Sequence, residues 1–270
     1  MLRDALIRHE AVLRAAAPGL EGRLATLECP DYMSPLQALC LAAFSLELRP
    51  DVVIDLGTGN GNSTAAFATA RETHGQGRIH TFDFKPYWEE FAASRLKKTG
   101  LALDCVESRV GDLTRFDFRP LLAEAERVLV FWDAHGFAVA QHVLGHIMPA
   151  IVDKPHVVIC HDISDNRFLH PSFKEYGGKR FWRGMGDYYK SDGQTHYGNI
   201  GWATSIVDQV IPIVDFCWRN DLELHSADYE LNEWRKTAFL AGMSEPYRAL
   251  AHLAYFSMNE TSARRFPALL

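Results

Sequence analysis

The residue types best suited to chemistry gather at the ends of two apolar runs. Val128-Leu129-Val130-Phe131-Trp132 is followed by Asp133-Ala134-His135-Gly136, and His156-Val157-Val158-Ile159-Cys160 is followed by His161-Asp162. Both runs are short and rich in β-branched or aromatic residues, the composition of buried strands. With the two strands as neighbours, two carboxylates and two imidazoles meet at one edge of a sheet. Paired carboxylates suit a hard divalent cation such as Mg²⁺, whereas imidazole suits Zn²⁺, Fe²⁺ or Ni²⁺ better. An imidazole also titrates near neutral pH, so His135 or His161 can serve as the general base that takes a proton from a hydroxyl. For each histidine the alternative is a structural hydrogen bond at a strand end.

A third stretch, Val52-Val53-Ile54-Asp55-Leu56, leads into Gly57-Thr58-Gly59-Asn60-Gly61 and then into Asn62-Ser63-Thr64. This is a strand, a tight loop and a helix start. Glycine at every second position permits positive φ and lets a small molecule come closer than a Cβ would allow. The dinucleotide fingerprint needs a glycine at the sixth position, where Asn62 stands, and the phosphate loop needs a lysine, which is absent between Asp51 and Thr64. Further along, Arg78-Ile79-His80-Thr81-Phe82 ends at Asp83, whose carboxylate can accept both hydroxyls of a ribose or cap the helix that follows. A third strand region leads to Val110-Gly111-Asp112-Leu113, where Gly-Asp also suits a plain turn.

The elements that must carry these residues alternate. Strands are expected at 52–56, 78–83, 104–107, 127–132 and 156–160, with room for a helix between each pair. Such alternation makes an α/β, doubly wound, mostly parallel sheet with helices on both faces, whose ligands lie beyond the carboxyl ends of the strands. Before the sheet, Leu2, Leu6, His9, Leu13 and Ala16 follow helical spacing up to a stop at Pro18-Gly19. A second helix starts at the cap Ser34 and Pro35 and ends at Pro50. After Asp162, residues 163–202 hold nine aromatics and seven glycines, an ordered, lid-like insertion after strand five. Residues 203–219 suit a helix broken at Pro212, and 222–227 and 251–257 suit two more strands. The chain divides into a helical cap (1–49), a ligand-binding core (50–162), the insertion (163–202) and a C-terminal part of the sheet (203–270), all in one domain of 270 residues.

Lysine and arginine number 28 against 34 acidic residues, a net charge of −6, which argues against a nucleic-acid partner and for a small-molecule substrate. No membrane partner is expected, since no apolar run is long enough to span a bilayer. The cysteines at 29, 40, 105, 160 and 217 are odd in number with no C-x-x-C pair, which fits a reducing cytoplasm. A homo-oligomer is compatible with all of this.

Asp55-x-Gly57-x-Gly59-x-Gly61, with Asp83 and Asp112 in that order, resembles the first motifs of class I methyltransferases that use S-adenosylmethionine. The resemblance covers residues 34–162 and implies a Rossmann-like sheet of seven strands with an antiparallel edge. It implies that Asp55, Gly57, Thr58, Gly59, Gly61 and Ser63 hold the methionine part of the cofactor, Asp83 its ribose, and Asp112 with Leu113 its adenine. Asp133 borders the cofactor and the acceptor. Within the family the chain is similar to the metal-dependent O-methyltransferases of small natural products and sugars, in which an aspartate after strand four and an acidic pair after strand five hold a divalent ion. That likeness implies Mg²⁺ or another divalent metal on Asp133, His161 and Asp162, although His161 stands where the pattern has a second oxygen ligand. Alternatives are an NAD-dependent oxidoreductase, a metal-dependent hydrolase or hydroxylase, and a binding protein that keeps the pocket without turnover.

Overall fold

In the computed structural model, the residues described are 1–27, 33–161, 200–227, 230–231 and 253–259. Three helices come first, α1 (Leu2–Arg8), α2 (Glu10–Thr26) and α3 (Pro35–Leu48). The alternating part follows: β1 (Val52–Leu56), α4 (Asn62–His74), β2 (Arg78–Asp83), a π turn (Trp88–Ala92) running into α5 (Ala93–Lys97), and β3 (Val106–Val110). Then come α6 (Arg119–Ala123), β4 (Val128–Trp132), α7 (Phe137–His142), a second π turn, α8 (Met148–Ile151), β5 (His156–His161), α9 (Ile200–Arg219), β6 (His225–Ser226) and β7 (Leu253–Phe256). The strands form one seven-stranded sheet in the order β3-β2-β1-β4-β5-β7-β6. Strands β1 to β5 pair in parallel, and β7 runs antiparallel to both β5 and β6.

Strand alternation sorts the side chains into two apolar layers. Val52, Ile54, Leu56, Val128, Val130, Trp132, Val158 and Cys160 enter one, with residues of α6 to α9. Val53, Ile79, Leu129, Phe131, Val157 and Ile159 enter the other, against α1 to α4. The same parity carries Asp55, Thr81, Asp83, Asp133 and His161 toward the α3/α4 layer. Strands β1, β4 and β5 are buried along their whole length, as central parallel strands are.

Several boundaries differ from the sequence expectation. The first helical pattern does not stop at Pro18: the chain breaks at His9, and α2 runs from Glu10 through Pro18 to Thr26. Leu13, Ala17, Leu20 and Leu24 keep one face of that helix buried, which outweighs the one hydrogen bond a proline removes. Likewise α9 passes through Pro212 without ending. Strand β3 lies at 106–110 rather than 104–107; as an edge strand it alternates Glu107, Ser108 and Arg109 and presents no apolar run. Only His225–Ser226 of the expected 222–227 pairs as a strand. Most of the insertion at 163–202, Asp162 and Cys29 lie outside the described residues, and the last residues of that expected insertion already belong to α9. Cys40, Cys105, Cys160 and Cys217 are buried. Among the described residues no helix is long and apolar enough to cross a membrane.

Candidate functional site

Sheet order reverses between β1 and β4, the place where a doubly wound sheet offers a crevice beyond its strand ends. On the β1 side the loop is held by backbone. The N–H groups of Gly57 and Thr58 both donate to the Phe82 carbonyl, at 2.9 and 3.0 Å, and Gly61 N–H closes a turn onto the Thr58 carbonyl at 2.8 Å. Gly57, Gly59 and Gly61 have φ of +99°, +48° and +85°. A Cβ on Gly57 would sit 2.7 Å from the Asp133 carbonyl oxygen, and one on Gly61 would sit 2.8 Å from Ala92 Cβ. A Cβ on Gly59 would meet no protein atom within 4 Å. Two of the three glycines therefore serve close packing of the chain on itself, and the third faces open space.

Asp55 has no exposed surface. Its carboxylate accepts hydrogen bonds from Ser63 Oγ (2.9 and 3.1 Å), Thr81 Oγ1 (3.2 Å) and Thr64 Oγ1. Burial pushes its pKa up to about 7, against the lowering effect of the three hydroxyls, and the charge of Asp133 adds to the rise. The carboxylate of Asp55 and the hydroxyl of Ser63 are directed at each other, and they fix the start of α4 beneath the loop. Thr58 is likewise buried, its hydroxyl against that of Thr81.

Asp83 ends β2 half-buried, with Oδ2 accepting the Gly59 N–H at 2.8 Å and Oδ1 the Lys85 N–H at 3.0 Å. A carboxylate has about four acceptor sites, so two remain for the hydroxyls of a ribose. The next residue, Phe84, is 65% exposed, an apolar ring with no signal in the sequence. Asp112 forms the turn that its Gly-Asp context allowed. Its side chain accepts from the Thr114 hydroxyl and N–H, at 2.6 and 3.0 Å, which together with Arg115 holds its carboxyl below the usual range. Leu113, next to it, is buried in the α6–α9 layer.

On the β4/β5 side the contacts are made by side chains. His161 Nδ1 stands 3.0 Å from Asp133 Oδ1, and His135 Nε2 stands 3.8 Å from the same oxygen. The other nitrogen of each ring meets a buried glutamine: His161 Nε2 lies 2.8 Å from Gln37 Nε2, and His135 Nδ1 lies 2.5 Å from Gln209 Oε1. Gln209 in turn directs its amide N–H₂ at the Trp132 carbonyl, 3.5 Å away. An amide oxygen only accepts, so His135 carries a hydrogen on Nδ1, and in the neutral ring Nε2 is the acceptor nitrogen. Asp133, His135 and His161 thus come together as expected, while Asp162 lies outside the described residues. Among the described residues no group of three or more metal-binding side chains is found.

Neither glutamine was singled out in the sequence. Gln37 had a signal, since Ser34-Pro35-Leu36-Gln37 has the Ser-x-x-Gln spacing of a capping box, and the structure contains that box in full. Gln209 had none, being one of several polar residues in a mostly apolar helix.

Crevice, loop and strand order together define the fold of class I, Rossmann-like methyltransferases. The chain is similar over 94% of its length, and 95% of the other's, to the SAH-bound methyltransferase PaMTH1 of Podospora anserina, with 14% identity and a TM-score of 0.53. It is similar to cofactor-bound Rv0187 from MTB (16% identity, 90% and 91% covered, TM-score 0.51) and to a candidate O-methyltransferase of Klebsiella pneumoniae (14%, 91% and 90%, TM-score 0.51). At such identities the likeness is one of fold. No protein-family model matches the sequence, and no curated protein does.

Proposed function

We propose that this chain transfers the methyl group of S-adenosylmethionine to a hydroxyl of a small molecule. The observation that carries the proposal is the contact between Gly57 and the Asp133 carbonyl. It sets the glycine loop directly against the residue that begins the acceptor side, so methyl donor and acceptor would share one crevice. The fold shared with an SAH-bound methyltransferase supports the cofactor class.

The described residues fit this cofactor. Gly59 leaves room where a side chain would intrude, Asp83 keeps acceptor capacity for two hydroxyls, and Phe84 offers an apolar face beside it. When bound, S-adenosylmethionine supplies a methyl group already activated by its sulfonium. What remains for the protein is to align the acceptor oxygen, which is worth up to roughly 7–11 kcal/mol in ideal cases, and to remove its proton. His135 Nε2 takes that proton in this proposal, and Asp133, 3.8 Å away, compensates the positive charge the ring acquires. Gln209 holds the tautomer that keeps Nε2 the accepting nitrogen. No step is assigned to a divalent ion, because the hydrogen bond that His161 Nε2 accepts from Gln37 does not suit a ligand.

Calorimetric titration of S-adenosylhomocysteine, followed by a hydroxyl-acceptor screen with methyl-labelled S-adenosylmethionine, tests the proposal. Saturable binding near one per chain and label transfer to an oxygen are expected. No binding would overturn the cofactor class, and transfer to nitrogen or carbon acceptors alone would overturn the acceptor class.

A further inference from the structure

The position after β5 is where the family resemblance implies a metal ligand, and the hydrogen bonds around His161 disagree with it. At the start of α3, the Ser34 N–H donates to Gln37 Oε1 at 2.6 Å, and the Gln37 N–H donates to Ser34 Oγ at 3.2 Å. The oxygen of the Gln37 amide is thereby taken, and this fixes which way the amide faces. Its nitrogen, 2.8 Å from His161 Nε2, can only donate. The ring nitrogen must accept, so the hydrogen of the imidazole sits on Nδ1, the nitrogen 3.0 Å from Asp133 Oδ1. The other tautomer would set N–H against N–H at a site where Gln37 and His161 are 5% and 6% exposed, with little access for water to relieve it.

We infer that His161 is a positioning residue rather than a metal ligand: the brace Ser34–Gln37–His161 fixes its ring so that Nδ1 stands 3.0 Å from the acceptor-side carboxylate of Asp133, where the resemblance implies an ion, as a close polar contact outside hydrogen-bond alignment. A metal bonds through a ring lone pair. Here the lone pair on Nε2 faces the Gln37 N–H, and the nitrogen nearest Asp133 carries a hydrogen. The brace also ties the N-terminus of α3 to the end of β5 across 124 residues of sequence. Its effect on turnover rests on the methyl-transfer proposal, whereas the tautomer and the metal measurement do not.

The test uses the full chain with ¹⁵N-labelled histidine and long-range ¹H–¹⁵N correlation spectra above pH 8, the His161 signals being assigned by their loss in His161→Asn. The wild type is expected to show an unprotonated Nε2 and a protonated Nδ1. Gln37→Glu keeps an oxygen for the Ser34 N–H, and so the capping box, but replaces the donor facing His161 by an acceptor. In that variant Nε2 is expected to become protonated. Alongside, Mn²⁺ binding followed by the electron paramagnetic resonance of the free ion is expected to be absent, or to change less than about twofold in His161→Asn. A wild-type ring protonated on Nε2 alone would overturn the inference, as would a Mn²⁺ affinity that drops tenfold or more in His161→Asn. Neither readout involves S-adenosylmethionine, so failure of the methyl-transfer proposal leaves this test intact.

Discussion

The two sides of the crevice are built by different means. The loop on the β1/β2 side is held through its backbone, by three glycines with positive φ, two N–H groups on the Phe82 carbonyl and one on the Asp83 carboxylate, above the side-chain cluster around Asp55. The β4/β5 side is made of side chains held by other side chains, with Gln37 and Gln209 brought in from helices 124 and 74 residues away. A backbone cradle tolerates almost no side chain, so its composition is forced. A side-chain brace only needs a donor to meet an acceptor, and many sequences can supply that.

Gly57→Ala should break both sides at once, because it places a Cβ 2.7 Å from the Asp133 carbonyl at φ +99°. Loss of measurable S-adenosylhomocysteine binding is expected, with about 2–4 kcal/mol of stability lost in urea unfolding. Gly59→Ala sharpens the contrast, since its Cβ meets no protein atom: stability should fall by only about 1–2 kcal/mol while cofactor affinity falls at least tenfold. Retained affinity in that variant would mean that the crevice floor lies elsewhere.

His135→Ala should separate the sides in the opposite sense. Turnover is expected to fall roughly 10²–10⁴-fold, with S-adenosylhomocysteine affinity within about twofold by calorimetry. A variant that keeps full activity would remove His135 from the chemistry.

Asp55 offers a comparison through pH. Its pKa in the folded protein, about 7, lies above the ordinary 3.8, so the folded state binds the proton more tightly than the unfolded one. Its contribution to stability is therefore fully present below about pH 4 and is lost as pH rises through about 7. Relative to Asp55→Asn, the wild type should lose about 3 kcal/mol of unfolding free energy between pH 4.5 and 7.5. A constant difference across that window would show that the carboxylate stays charged when buried. The smallest effect belongs to Asp112→Ala: its carboxylate caps only a short turn, so the urea midpoint should fall by less than in any of the variants above.

The fold was legible because its signals are local. Strands β1 and β2 lie where apolar runs ended in Asp55-Leu56 and Asp83, and Ser34 with Pro35 marked the start of α3. The helix stops expected at Pro18 and Pro212 were misleading for the converse reason. A proline removes one hydrogen bond locally, but whether the helix continues depends on what its buried face packs against.

By itself the sequence determined the strand–loop–helix unit around Gly57, the order of acidic residues at the strand ends, and the strand parity that sends Asp55, Asp133 and His161 to one layer. Strand period and glycine sterics act over a few residues, so they can be read in a line. Only the tertiary structure decided that Asp55 lies buried among three hydroxyls, that His135 and His161 carry their hydrogens on Nδ1, and that Gln37 and Gln209 are their partners. Those outcomes depend on which helix covers which strand end, and hydrogen-bond direction is settled only when donor and acceptor from distant segments are enclosed together.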